Sequence, residues 1–330
     1  MERPLSHRRT ANVTLLGPQA NGGLHAGSAL KELGITGPVA LITAGWQERE
    51  TEDAVLSAAL GVETVNLRLH GRSEELFAAD PDFAAAYKAR QTRLRHIQSF
   101  YRIRLESADD AARAIAVRHV SDQLIAEEWE VSINHFRHID ADHIARCREV
   151  HLGFRQEWKA EVRPARDRQI KEVRGLLGDV GALVIAGGHV GSLLNRLRLF
   201  DVIEMSEHLP IVAWSAGAMV LTDRIVCFHD FPPYGTDIAQ IFDVGYGLAP
   251  GIVVLPDPQR RVRLDDTTGI SRFASRMSPA MCVAMDYGSE LRFAAPSGTD
   301  ALLPQARPLA MSGHAYHLTS TGHVDKEWRR

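Results

Sequence analysis

Short apolar runs alternate with helical patterns in the first third of the chain. The runs at 12–16 (NVTLL) and 38–45 (PVALITAG) close at a glycine, and 62–69 (VETVNLRL) alternates like a strand. Helical patterns at 26–33 and 47–60 separate these runs. Strands that are apolar at every position are buried on both faces, as in a parallel sheet covered by helices. The pattern therefore predicts an α/β fold.

The pattern changes over residues 73–177. Strand signals are nearly absent there, no glycine occurs between Gly71 and Gly153, and alanine, arginine, glutamate and leucine are frequent. A block of this length is too long for a loop. We predict an α/β domain formed by residues 1–72 and 178–330, with a helical subdomain inserted at 73–177. Composition leaves open whether the insertion covers the site, pairs subunits into a homo-oligomer, or does both.

The α/β alternation resumes after the helical block. An apolar run at 182–186 ends in the pair Gly187–Gly188, and another at 211–214 meets Ser215. Short strand-like runs separated by turns then continue towards the end of the chain. The fold is therefore expected to close with β structure.

Ser215 stands where an apolar strand turns into the small residues Ala216, Gly217 and Ala218. Small neighbours let a serine hydroxyl stand clear of the backbone at such a turn. The N-terminus of the helix that follows brings free N–H groups and a positive dipole end towards an oxyanion. The pattern indicates a nucleophile at Ser215. The alternative is that Ser215 is only the N-cap of a well-packed helix.

The sequence at this point resembles a known family of hydrolases. The motifs WSAGA (214–218), ALVIAGGHVGSLLNRL (182–197) and HDFP (229–232) are similar to peptidase E (aspartyl dipeptidase) and the related cyanophycinases. The resemblance covers residues 12–70 and 180–330. It implies a serine peptidase on the class I glutamine amidotransferase-like fold, a three-layer α/β sandwich with a mostly parallel sheet. Its expected substrate is a small peptide or amide.

The resemblance also implies roles for individual residues. Ser215 matches the family nucleophile, and Asp230 of HDFP matches the triad aspartate. Gly187, Gly188 and the N–H of Ala216 match the oxyanion hole. An amidotransferase itself would carry cysteine at position 215, where this chain has serine.

The general base is missing where the resemblance implies it. The family histidine follows the next strand, which here reads GIVVLPDPQRR (251–261) and contains no histidine. His229 or His189 could supply an imidazole, and Asp257 is a weaker carboxylate alternative. Neighbouring side chains of an extended chain point in opposite directions, which makes it difficult for His229 and Asp230 to share one site. Otherwise the chain is a non-catalytic binding protein that keeps the pocket.

Arg260 and Arg261 lie just beyond the position of the missing histidine. Guanidinium groups bind carboxylates well, so these residues predict an acidic substrate. The alternative is a solvated loop whose charge is balanced by Asp265 and Asp266.

Composition and net charge limit the kinds of partner expected for the chain. The 330 residues carry a net charge of -3, which gives no electrostatic reason to expect nucleic acid or an anionic membrane as partner. The start of the chain lacks the pattern of a signal peptide, and we expect a cytoplasmic protein. The three cysteines are far apart without a CxxC pair, which argues against a disulfide framework or a cysteine zinc site.

Two triples of side chains occur at helical spacing within the predicted insertion. They are His135, His138 and Asp142, and His143, Cys147 and His151. Metal sites usually draw ligands from more than one element, so we interpret both triples as a polar helix surface. We expect no metal and no cofactor.

Overall fold

Strands lie in the first and the last part of the described chain, with four consecutive helices between them. This computed structural model describes residues 11–19, 23–159, 162–228, 238–294, 310–312 and 315–325. The strands are β1 (Val13–Leu16), β2 (Val39–Ile42), β3 (Thr64–Asn66), β4 (Ala182–Ile185), β5 (Ile211–Trp214), β6 (Arg224–Cys227), β7 (Gln240–Val244), β8 (Ile252–Pro256), β9 (Met281–Met285), β10 (Glu290–Phe293), β11 (Ala310–Ser312), β12 (Ala315–Leu318) and β13 (Val324–Asp325).

Helices form most of the remaining described chain. They are α1 (Leu24–Glu32), α2 (Ala54–Leu60), α3 (Leu69–Ala79), α4 (Pro81–Ala116), α5 (Asp122–Glu157), α6 (Pro164–Gly178), α7 (Val190–Leu199), α8 (Val202–Met205), α9 (Ala216–Leu221), α10 (Pro258–Arg261) and α11 (Thr267–Met277), with a 3-10 helix at Ala44–Arg49. None of the helices in the described part of the chain has the length and apolar character needed to cross a membrane.

The largest sheet has seven strands in the order β11-β10-β1-β5-β4-β2-β3. The five strands from β1 to β3 in this order run parallel, and β10 and β11 join antiparallel at one edge. A second sheet has the order β13-β12-β9-β8, and β6 pairs with β7. The chain is therefore an α/β protein with mixed sheets, in agreement with the predicted class.

Strand β5 is apolar at every position because both of its faces are buried. Val212 and Trp214 pack into the core beside α1 and α2. Ile211 and Ala213, which point to the opposite face, pack into the core beside α6, α7 and α9. Because helices cover both faces of the sheet, alternate positions of the strand are equally buried.

The predicted helical block forms the four helices α3 to α6. The two long ones, α4 and α5, have 36 residues each and pack along one another as an antiparallel hairpin. Phe83 at the start of α4 and Val173 in α6 belong to the core of the main sheet. The block is therefore packed into the α/β core at its base, and its division from residues 1–72 and 178–330 as a separate subdomain stays a prediction.

A buried ion pair fixes the hairpin to the second half of the chain. Arg276 of α11 donates to both carboxylate oxygens of Asp140 in α5, at 2.7 Å each. The hydroxyl of Tyr101 in α4 donates to Asp140 at 2.8 Å and accepts from the backbone N–H of Ile241 in β7 at 3.0 Å. Four elements therefore meet in one hydrogen-bonded network, which sets the position of the hairpin.

Candidate active site

Ser215 has an unusual backbone conformation at the turn between β5 and α9. Its φ is 50° and its ψ is -119°, a region that residues with a Cβ rarely adopt. An N-cap serine has extended backbone angles, and its hydroxyl accepts from the first helical turn. Ser215 has neither property. Its φ is positive, and its side chain makes no capping hydrogen bond. The N-cap interpretation therefore does not fit, and the serine occupies a strained strand-to-helix turn.

Small residues around Ser215 make room for this turn. A Cβ on Gly187 would lie 2.9 Å from the Cβ of Ser215, which is closer than non-bonded carbon atoms normally pack. A Cβ on Gly217 would collide with the carbonyl of Ile185, so glycine lets α9 approach β4. Gly188 has a φ of 122°, and a Cβ there would lie 2.5 Å from the carbonyl oxygen of Gly45. The glycines noted in the sequence therefore bring the ends of β4 and β5 together.

Two backbone donors at the end of β4 lack a backbone partner among the described residues. Among the described residues, the N–H groups of Gly187 and Gly188 make no backbone hydrogen bond, whereas those of Ala186 and His189 donate at 2.9 and 2.8 Å to carbonyls at the end of β2 and in the turn after it. The first N–H groups of α9, beginning with Ala216, have no partner within their helix. The oxyanion role of these groups stays a prediction that the arrangement accommodates.

His189 is exposed and caps α7. Its Nδ1 accepts from the N–H of Ser192 at 3.0 Å and lies 3.1 Å from the Ser192 hydroxyl, which accepts from Gln47 at 2.7 Å. A neutral ring whose Nδ1 accepts carries its proton on Nε2. In this state Nε2 is a donor, so a base role would require the ring to leave the cap or change tautomer.

In the part of the chain described, no residue makes a hydrogen bond to the Ser215 hydroxyl.

Asp257, with a φ of 58°, follows β8 in the segment where the resemblance implies histidine. Arg260 and Arg261 follow in the short helix α10, Arg260 exposed and Arg261 half-buried. Burial raises the pKa of the Cys227 thiol to about 11, and the charge of Arg261 opposes this shift. Arg261 therefore lies near the end of β6. Strand β8, which precedes α10, belongs to the second sheet, whereas the strand that ends before Ser215 belongs to the seven-stranded sheet.

His229 and Asp230 lie outside the described residues. The described chain stops at Phe228, just after β6, and resumes at Ile238, just before β7. The role of His229 as base and that of Asp230 as triad aspartate stay predictions.

The sequence interpretation missed His25, near the start of α1. Strand β1 pairs with β5 in the register Leu16 to Trp214, so the chain after β1 leaves the sheet beside Ser215. His25 follows this loop, is half-buried, and stacks on Tyr287 with ring centroids 4.7 Å apart. Only the strand order brings this histidine to the same edge, and a single sequence does not contain that order.

The histidine triples of α5 do not converge on a common centre. His135 and His138 are exposed, whereas His143 is fully buried and stacks on Tyr101 at 4.1 Å. His151 Nε2 lies 2.9 Å from Asp243 of β7. Within the described residues, no group of three potential ligands could hold a metal ion.

Comparisons with known proteins give a distant structural neighbour. No protein-family model matches the chain, and no curated protein matches it. A crystal structure of a peptidase from an acI-B1 actinobacterium is similar to 95% of this chain and 93% of its own, with a TM-score of 0.45 and 12% identity.

Proposed function

We propose that the chain is a serine hydrolase of the peptidase E type, on a class I glutamine amidotransferase-like fold, that cleaves a peptide or amide bond. The observation that carries the proposal is the conformation of Ser215, with a φ of 50° between β5 and α9. Such a conformation costs about 1–3 kcal/mol and persists only where its surroundings hold it. A serine held in this way presents its hydroxyl at the N-terminus of a helix, which is the arrangement of a nucleophile elbow.

The proposed reaction begins at Ser215. The Ser215 oxygen attacks the substrate carbonyl carbon, its proton passes to a base, and the carbonyl electron pair moves onto the oxygen. Backbone N–H groups of Ala216, Gly187 and Gly188 stabilise the resulting oxyanion. The intermediate expels the amine, which takes the proton from the base, and water then hydrolyses the acyl-enzyme. Asp230 orients the base.

Three histidines compete for the role of base. His229 lies next to Asp230 in the sequence, His189 follows the glycine pair, and His25 lies beyond the strand that pairs with β5. The capping contact of His189 ties up its Nδ1, whereas His25 stacks on Tyr287 and its ring nitrogens make no hydrogen bond within the described residues. We therefore consider His25, like His229, a candidate for the base.

An acidic substrate fits the charges near α10. Arg260 and Arg261 supply two guanidinium groups that can bind a carboxylate in a bidentate manner. Neither forms a salt bridge within the described residues, so their charge is available to a ligand. The substrate class proposed is a small peptide with an aspartyl or glutamyl residue.

A second candidate function is a binding protein that keeps the pocket without catalysis. Asp257 in place of a histidine after β8 supports it, because a serine hydroxyl is a poor nucleophile without an adjacent base.

The experiment that tests the proposal is amine release from a library of small peptides. We expect wild type to cleave peptides with an acidic residue and Ser215→Ala to lose this activity. Among His25→Ala, His189→Ala and His229→Ala, the variant of the true base should fall towards the Ser215→Ala level. Binding of the same peptides without cleavage by the folded wild type would favour the binding protein.

A further inference from the structure

A cavity rich in arginine lies where the helical hairpin meets the α/β core. It encloses about 310 Å³, within the size range of small-molecule sites. Its walls come from α4, α5, α6, α7, α8 and the segment after β7. We call it the arginine cavity; its lining includes Arg90, Arg148, Arg155, Arg166, Arg198 and Tyr246.

The positive charge of this cavity is only partly balanced. Carboxylates pair with three of its five arginines: Arg155 with Glu204 at 3.3 Å, Arg166 with Asp201 at 2.9 Å, and Arg198 with Asp243 at 3.1 Å. Among the residues that the structure describes, Arg90 and Arg148 form no ion pair. Two guanidinium charges are therefore available to an anion.

Arg90 is built into the wall rather than left in solvent. It is 8% exposed, and its guanidinium carbon lies 4.4 Å from the ring centroid of Tyr87 and 4.5 Å from that of Phe154. Burial lowers its pKa. Its Nε is buried without a hydrogen-bond partner in the described chain. A charged group held in this way loses hydration, and an anion bound in the cavity would stabilise its charge.

Three more polar atoms on this cavity's lining residues are buried without a hydrogen-bond partner among described residues. They are Nδ1 of His151, Oε2 of Glu204 and the hydroxyl of Tyr246. Buried polar groups are nearly always paired in native structures. Four unpaired polar atoms, counting Arg90 Nε, therefore belong to side chains around one cavity.

Aromatic side chains form part of the remaining walls. Phe83, Phe154 and Trp158 line the cavity, with ring centroids 5.7–6.2 Å apart. The half-buried rings of Phe154 and Trp158 provide an apolar surface beside the guanidinium groups, so the site combines charge recognition with room for a flat apolar body.

We propose that the arginine cavity binds a small organic anion, whose carboxylate or phosphate contacts Arg90 and Arg148 and whose apolar part packs on Phe154 and Trp158. This site is distinct from Ser215. Helix α7 begins after the Gly187–Gly188 turn and ends at the cavity, and its length separates the two by about 13 Å along the axis. The inference does not depend on hydrolase activity.

The test is isothermal titration calorimetry of the full chain with phenyl phosphate, benzoate, inorganic phosphate and benzyl alcohol. We expect saturable binding of phenyl phosphate or benzoate, and no binding of neutral benzyl alcohol. The preferred anion distinguishes a phosphate from a carboxylate ligand. Binding of inorganic phosphate as tight as that of phenyl phosphate, or no binding of either organic anion, would overturn the proposal.

Variants assign the binding to the cavity. Arg90→Met and Arg148→Met should each weaken binding by about tenfold or more, as expected for a lost charge-assisted contact. Arg93→Met, an exposed position on the same helix as Arg90, is the matched control and should bind like wild type. Arg148 is exposed, so its variant tests the proposal even if Arg90→Met fails to fold. Ser215→Ala should bind normally, and unchanged binding by Arg148→Met contradicts the assignment.

Discussion

Gly187 and Ser215 lie so close that a side chain on the first would strike the second. A Cβ on Gly187 would be 2.9 Å from the Cβ of Ser215 and 3.5 Å from its Oγ. The two residues lie just beyond the ends of the neighbouring parallel strands β4 and β5. This proximity fixes where the serine hydroxyl can stand.

Gly187→Ala should therefore displace Ser215. We expect a loss of about 1–3 kcal/mol in the free energy of unfolding, typical of an overpacked site, and a slower reaction of Ser215 with an active-site-directed phosphonate. Urea denaturation and labelling kinetics measure the two effects. Gly181→Ala is the control, because the nearest atom to its added Cβ would lie 3.7 Å away. Equal behaviour of the two variants would show that the close approach is unimportant.

The strained backbone at Ser215 predicts that its glycine and alanine variants differ in stability. Glycine adopts a positive φ readily, whereas alanine retains the strain of serine. Ser215→Gly should be more stable than Ser215→Ala by about 1 kcal/mol, although both lack the hydroxyl. Thermal and urea unfolding of the two variants provide the comparison. A more stable alanine variant would mean that the backbone relaxes in solution.

The elbow could be predicted from the sequence because its determinants are local. An apolar strand, a serine and three small residues are contiguous at 211–218, and their order is enough to predict the turn. His25 could not be predicted to lie at the same edge, because its position depends on β1 pairing with β5. The apolar run of β8 likewise predicts a strand without showing which sheet contains it.

The arginine cavity has no sequence signal for a similar reason. Helical spacing placed His143 and His151 on one face of α5, but the partner that engages His151, Asp243, comes from β7. Arg90 and Arg198 belong to separate helices more than one hundred positions apart. Only tertiary packing reveals that these residues share a cavity.

The network at Asp140 predicts a large effect of removing its cation. Arg276→Met would leave a buried carboxylate, which is 3% exposed, without its counter-ion. We expect a loss of about 3–5 kcal/mol in the free energy of unfolding. Arg104→Met, which breaks a half-exposed pair with Asp142 on the same two long helices, should cost about 0–1 kcal/mol. Similar losses in both variants would contradict a special role of the buried network.

His143 predicts how stability depends on pH. Burial lowers its pKa from 6.5, so below this pH the unfolded chain binds a proton that the folded chain does not. Stability should therefore fall as the pH decreases below about 6.5, by up to about 1.4 kcal/mol per pH unit for this group. His143→Phe, which retains a ring against Tyr101, should flatten this dependence.

The measurement is urea unfolding of wild type and variants between pH 7 and pH 5. His135→Phe, at an exposed position of the same helix, should keep the wild-type slope. A wild-type slope in His143→Phe would exclude His143 as a source of the pH dependence.

The central claim is that Ser215 is an activated nucleophile, and covalent labelling with a fluorophosphonate probe tests it most directly. We predict that folded wild type is labelled, that peptide mapping by mass spectrometry places the adduct on Ser215, and that Ser215→Ala is not labelled. Absence of labelling in the folded wild type, or an adduct that persists in Ser215→Ala, would contradict the claim.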